Sequence, residues 1–180
     1  MSSMSNMPIA SEGVPMEGTS EYVWDKYRQS LKMSTYLVAF VVSKFKFVET
    51  TRENNVRFRI WSEPNSLDQT SYANEIGPKM LEFFEGYFNI KFPLPKQDMI
   101  AIPDFGAGAM ENWGLITYRL ARSECLLFLH IHLFRETALL YKEGVSSASN
   151  KQRIAIVVSH ELAHQWFGED CFSALFMTAL

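Results

Sequence analysis

His160, Glu161 and His164 stand in the order H-E-x-x-H near the end of a 180-residue chain, within V-S-H-E-L-A-H-Q-W-F-G at residues 158–168. On an α-helix, two histidines four residues apart share one face, so both imidazoles can meet a single metal ion. Zinc suits such a pair. It accepts neutral imidazole nitrogen, has no redox chemistry, and lowers the pKa of a bound water from roughly 16 to about 7. Glu161, beside the pair, is then placed to take that water's proton as general base. The competing reading is a solvated helix with two histidines in ordinary company. Average residue usage produces the motif by chance on the order of once in a hundred chains of this length, which favours the metal reading.

The motif needs a helix, and its neighbours supply one. Ser149 or Asn150 can cap a start, Ile154, Val157 and Val158 give an apolar stripe, and Gly168 suits a C-terminal stop. A second block, residues 106–114, has small side chains at Gly106, Ala107, Gly108 and Ala109, then Met110, Glu111, Asn112, Trp113 and Gly114. Small residues leave the backbone bare, so another backbone, such as that of a bound peptide, can approach closely. Taken alone, the block reads first as a plain β-turn.

The remaining elements follow from periodicity. Residues 1–19, rich in Ser, Met, Gly and Pro, read as loop, and residues 21–29 as a short turn or helix. Residues 35–43, 45–50 and 56–61 read as strands, the last with the alternation of a half-buried one. Residues 64–68 read as loop. Residues 72–88 predict a helix with Ile76, Met80, Phe83, Phe84 and Tyr87 on the buried side and Pro78 marking a kink or late start. Residues 92–95 are an extended connection to a buried strand over 98–102, ended by Pro103, and a further strand covers 115–119.

Composition sets outer bounds. Hydrophobic residues make up 47%, charged residues 21% and aromatics 14%, which is globular material with enough apolar mass for a core. A net charge of -3 with no basic patch argues against a nucleic-acid partner. The longest apolar run, residues 36–42, is too short to span a bilayer, and the opening residues have no basic start followed by an apolar block. No membrane segment or signal peptide is expected from them. Cys125 and Cys171 show no C-x-x-C spacing and leave the redox compartment open.

Two blocks, Gly108-Ala109-Met110-Glu111-Asn112 and His160-Glu161-Leu162-Ala163-His164 followed by Gln165-Trp166-Phe167-Gly168, resemble the zinc aminopeptidases of the aminopeptidase N type, gluzincins with a thermolysin-like catalytic domain. Residues 33–40, 92–96 and 113–119 are similar to the same family, so the likeness covers most of residues 5–168. The resemblance implies an α+β chain. Residues 1–55 would be the C-terminal strands of an N-terminal β-sandwich-like domain. Residues 56–180 would be the N-terminal part of the catalytic domain, a mixed sheet plus the zinc helix, left incomplete. It further implies hydrolysis of the N-terminal residue from peptides, with one zinc ion on His160 and His164 and Glu161 as the catalytic residue. Gly108, Ala109, Met110, Glu111 and Asn112 would bind substrate. In the family Glu111 pairs with the free α-ammonium of the peptide, while the backbone of Gly108 and Ala109 holds its chain. Charge agrees, because an α-ammonium with a pKa near 8 is mostly protonated at neutral pH and a carboxylate at the end of a cleft favours it. The implied compartment is the plasma membrane or the extracellular space, with the cytoplasm second.

The chain also departs from that pattern. The family's third zinc ligand, a glutamate, lies further along than Leu180, so this chain would lack it. Residues 120–135 look inserted and residues 169–180 divergent; within the insertion, His130 and His132 read as packing before they read as ligands. Both segments can be written in codons that mimic splice junctions. A second reading therefore makes the chain an inactive truncated isoform or a mis-spliced product, at most a peptide-binding module.

Overall fold

The computed structural model describes residues 1–18, 21–51, 56–120 and 138–166. Its centre is a five-stranded mixed sheet in the order β5-β6-β7-β9-β8. The strands are β5 (Lys46–Thr51), β6 (Arg57–Ser62), β7 (Lys96–Pro103), β8 (Ala109–Met110) and β9 (Leu115–Leu120). β6, β7 and β9 run parallel, and β5 and β8 close the two edges antiparallel. Parallel neighbours need a long crossover, and between β6 and β7 it is α1, Ser71–Phe88. The second helix, α2, Ala148–Ala163, carries the histidines and packs on α1.

Alternation along the strands separates two cores. Phe58, Ile60, Met99, Ala101, Ile116 and Tyr118 point to the helical side, where Leu81 of α1 and Ile154, Val158 and Leu162 of α2 cover them. Trp61, Ile100 and Leu115 point the other way, against Met4 and the partly buried Val41 and Ala39. That second face is covered by β1 (Ser2–Ser5), paired antiparallel with β4 (Phe40–Ser43). A separate hairpin joins β2 (Ile9–Pro15) to β3 (Val23–Tyr27).

Several expectations need correction. Residues 1–19 contain two strands, and β3 replaces the turn or helix expected over residues 21–29. Their strand pairing comes from partners elsewhere in the chain, which local composition does not reveal. The strand expected over residues 35–43 is a 3-10 turn, Thr35–Leu37, followed by the shorter β4, and the loop at 64–68 is a 3-10 segment, Pro64–Thr70. On α1 the buried residues are Ala73, Gly77, Pro78, Leu81 and Glu85, while Phe83 and Tyr87 are 62% and 71% exposed. The helix turns its small residues to the sheet, which brings its backbone close to Phe58, and leaves the two rings outside. The helix runs through Pro78 and ends at Asn89, whose φ of 52° makes a left-handed cap.

Ser147, not Ser149 or Asn150, caps α2: its Oγ accepts from the Asn150 N–H at 3.1 Å, and Asn150 itself is buried. Gly168, the expected insertion over 120–135 apart from Leu120, the tail 169–180, His130, His132 and both cysteines lie outside the described residues. Among the described residues no helix is long and apolar enough to cross a membrane.

Candidate active site

Ile154, Val158 and Leu162 recur at four-residue intervals and fix the face of α2 that enters the core. Trp166, four residues further, continues the stripe: its indole N–H donates to the Ile90 carbonyl at 3.0 Å, and its ring packs on Phe84, Phe88 and Phe92. With that side fixed, His160 and His164 emerge together on an open side. Their Nε2 atoms lie 3.0 Å apart, with ring planes at 84°. Two nitrogens bound to one tetrahedral zinc at the usual bond length would sit roughly 3.3 Å apart, so a slight opening of the pair admits the ion. The donor set is the right kind for zinc. Among the described residues, however, no group of three or more His, Cys, Asp or Glu side chains could hold a metal, so these residues offer the pair no third partner of that kind.

Glu161 faces inward. It is 7% exposed, and its Oε2 is buried without a hydrogen-bond partner. Burial raises its pKa to about 7, with His164 opposing the rise and Glu111 adding to it. A buried carboxyl with one oxygen unengaged is suited to exchanging a proton with a small molecule beside it. Beneath it Tyr118 is fully enclosed, its hydroxyl against Met99 Sδ at 3.6 Å; burial and the charge of Glu161 hold its phenol well above the ordinary value.

The second block comes to the same place. Gly108 and Ala109 line one cleft with His160, Glu161, Val157 and Ile156 of α2. Among the described residues β8 is the outermost strand of the sheet, and none of their strands pairs with its outer edge. Residues 106–114 are thus an edge strand followed by a tight turn, in which the Leu115 N–H donates to the Asn112 carbonyl at 2.9 Å. Gly114 has a φ of +77°, and a Cβ there would lie 2.7 Å from the Asn6 carbonyl oxygen and from Leu94 Cδ1. Met110 and Glu111 are half-buried beside this cleft and do not line it. Asn112 is buried, donating to the Leu37 carbonyl at 3.3 Å and accepting from Thr117 Oγ1, so its side chain is engaged in the fold.

Two contributors, Arg119 and Gln165, stand in segments that the sequence singles out but to which it assigns no role. Arg119 donates from Nε to the Phe105 and Ala107 carbonyls at 2.6 and 3.0 Å and from a terminal nitrogen to the Gly106 carbonyl, gripping three successive peptides ahead of Gly108. Gln165 is buried between α2 and the turn after β8. Both act on backbone groups, and backbone partners leave no spacing signature in a sequence.

A Peptidase family M1 domain profile matches residues 72–172. Over 165 residues, 92% of its length, the chain is 50% identical to Aminopeptidase M1 of Arabidopsis thaliana, of which it covers 16%. It is 47% identical to Aminopeptidase N of Haemonchus contortus over 163 residues, 88% of this chain and 15% of the relative. It is 45% identical to Endoplasmic reticulum aminopeptidase 1 of Homo sapiens over 165 residues, 92% of this chain and 16% of the relative. The chain therefore spans about a sixth of the length of these curated relatives. Since the matched profile covers more than half of the chain and takes in both sequence blocks, the chain belongs to peptidase family M1.

Proposed function

We propose that the chain carries the metal helix and the N-terminus-recognition strand of a zinc-dependent aminopeptidase that removes the N-terminal residue from peptides. The observation that carries this reading is the shared cleft: Gly108 and Ala109 on one wall, His160 and Glu161 on the other. The relatives named above support it. His160 and His164 would hold one zinc ion, which when bound supplies Lewis acidity, acidifying water and polarising a carbonyl. Glu161 would take the proton from the attacking water and pass it to the departing amine. Backbone groups at the outer edge of β8 would pair with the peptide as an added strand. Glu111 would meet the α-ammonium, and this carboxylate confines the reaction to chains with a free N-terminus.

The finer architecture belongs to this proposal. Residues 1–55 are taken as the closing strands of an N-terminal β domain and residues 56–180 as the opening part of a thermolysin-like catalytic domain, with β5 hydrogen-bonded across that division into the sheet. So does the compartment, the plasma membrane or extracellular space before the cytoplasm.

The test is made in a complete catalytic unit carrying these residues. Glu161→Gln is expected to lower kcat by at least about a hundredfold while zinc stays bound, because it removes a base and not a ligand. Glu111→Ala is expected to raise KM and narrow the preference for free over acetylated peptides. Loss of zinc in Glu161→Gln, or equal hydrolysis of acetylated and free peptides by the unmutated protein, would overturn the proposal.

A further inference from the structure

The two blocks come from distant parts of the chain, and one buried side chain ties them together. Gln165 is 1% exposed. Its Oε1 accepts from the Gly114 N–H at 3.1 Å, and its Nε2 donates to the Glu111 carbonyl at 3.2 Å. The same Nε2 reaches the Glu161 carbonyl at 3.4 Å. That carbonyl is left over by the tightening of the helix end, where the Gln165 N–H turns to the Leu162 carbonyl and the Trp166 N–H to that of Ala163. The orientation of the amide follows from its partners: Gly114 offers a donor, and Glu111 and Glu161 offer acceptors. One carboxamide thus grips both ends of the turn that follows β8 and, at the same time, the backbone of Glu161, the residue that follows His160.

The Gly114 peptide is held from the opposite side as well. Its carbonyl accepts from the buried Lys96 ammonium at 2.8 Å and from the Asp98 N–H at 3.0 Å. With these fixed and Gly114 confined by Asn6 and Leu94, the freedom left to the turn is the distance and tilt of Glu111 relative to α2. Gln165 removes that freedom.

We propose that Gln165 is a positioning residue: it sets the place of the Glu111 carboxylate relative to the His160 and His164 pair, and so fixes where the α-ammonium must sit for the first peptide bond to reach the metal. This rests on the aminopeptidase reading above. Gln165 touches neither substrate nor metal in this role. A glutamine side chain matches it because it carries a donor and an acceptor at one end, whereas a carboxylate offers only acceptors.

The experiment uses the 180-residue chain loaded with zinc, with L-leucinamide and N-acetyl-L-leucinamide as probes. Three quantities are read: zinc affinity, amide exchange at Gly114, and the ratio of the two probe affinities. Gln165→Met keeps the volume and removes both hydrogen-bonding atoms. It is expected to speed Gly114 exchange roughly tenfold and to cut the preference for the free amine roughly tenfold. Zinc affinity should stay within about twofold. Gln165→Glu retains the acceptor for Gly114 and loses the donor to Glu111, so Gly114 protection should persist while the preference still falls. If Gln165→Met does not fold, Gln165→Glu carries the comparison alone. An unchanged probe ratio in the folded variants would show a merely structural glutamine and overturn the proposal, as would a large loss of zinc affinity. Equal binding of both probes by the unmutated chain would sink the aminopeptidase reading itself, and this role with it.

Discussion

Asp98 shows how one residue can hold several segments. Its carboxylate is fully buried on β7 and receives Arg59 Nε at 2.5 Å, one terminal Arg59 nitrogen at 2.7 Å, Lys96 Nζ at 2.7 Å and the Trp61 indole N–H at 3.2 Å. Lys96 in turn donates to the carbonyls of Ser5 and Gly114. Burial alone would raise the Asp98 pKa, but the Lys96 ammonium and the Arg59 guanidinium outweigh it and hold the carboxyl below the usual carboxylate range. A depressed folded pKa means that the unfolded chain binds the proton first as pH falls. The stabilisation is therefore complete well above about pH 4 and lost as pH drops through the folded value. Asp98→Asn leaves the Lys96 ammonium buried without its countercharge, and we expect a loss of about 3–5 kcal/mol. Urea midpoints at pH 7 and pH 3 check both points: the variant should be weaker at pH 7 and show less decline on acidification. The pair Lys96 and Asp98 was visible in the sequence only as a strand and its flank. Nothing in a single sequence says that two charged residues on a strand will be fully enclosed, because the enclosing groups, Ser5, Trp61 and Gly114, come from three other segments.

Helices were legible by period but not by rotation. The existence of α1 and α2 followed from apolar spacing, and the stripe of Ile154 and Val158 points where periodicity put it. On α1 the aromatic residues suggested the wrong side, because Ala73 and Gly77 carry less hydrophobic signal than Phe83 and Tyr87 yet seat the helix. A Cβ on Gly77 would lie 2.7 Å from Phe58 Cε1, and nearer still to its Cζ, so the glycine permits the approach of α1 to β6. Glycine within a helix is otherwise unfavourable by about 1 kcal/mol relative to alanine. Gly77→Ala sets that gain in propensity against a clash in the core, and we expect the clash to win, with a net loss of about 1–3 kcal/mol. Gly86 of the same helix has no atom within 4 Å of the equivalent position, so Gly86→Ala should be neutral or slightly stabilising. Thermal melts of the two variants side by side test the orientation of α1. A stabilised Gly77→Ala would mean that the helix does not rest on Phe58. The cap of α2 was missed by two residues because Ser146, Ser147, Ser149 and Asn150 all offer capping side chains, and only backbone geometry selects Ser147, whose ψ of 161° is extended.

Across the whole molecule, the site is stretched between layers that the sequence describes separately. The sheet supplies β8 and β9, the helical layer supplies the histidines, and the N-terminal strands cover the opposite face. Asn6 joins that last layer to the rest. Its Nδ2 donates to the Leu37 and Trp113 carbonyls, each at 2.9 Å, and its Oδ1 accepts from the Ala39 N–H at 2.8 Å. Since Trp113 sits between Asn112 and Gly114, this one side chain connects β1, the approach to β4 and the turn beside the cleft. All three of its partners are backbone groups. Asn6→Ala strands the Trp113 carbonyl and the Ala39 N–H, and leaves the Leu37 carbonyl to Asn112 Nδ2 alone, in a region where Asn6 itself is 3% exposed. An unmet buried backbone group costs about 1–3 kcal/mol, and partial relaxation or entering water should lessen the sum, so we expect a net loss of about 2–4 kcal/mol. The loss should also be localised. Amide exchange should speed most at Ala39 and along the β1 and β4 pairing, and less in β6 and β7, whose ladders do not depend on Asn6. Asn6→Asp keeps the acceptor for Ala39 but turns a buried carboxylate towards the Leu37 and Trp113 carbonyls, so it should cost at least as much as Asn6→Ala. A uniform increase in exchange across all layers would show instead that the N-terminal strands and the five-stranded sheet unfold as one cooperative unit, with Asn6 adding stability and no particular connection between them.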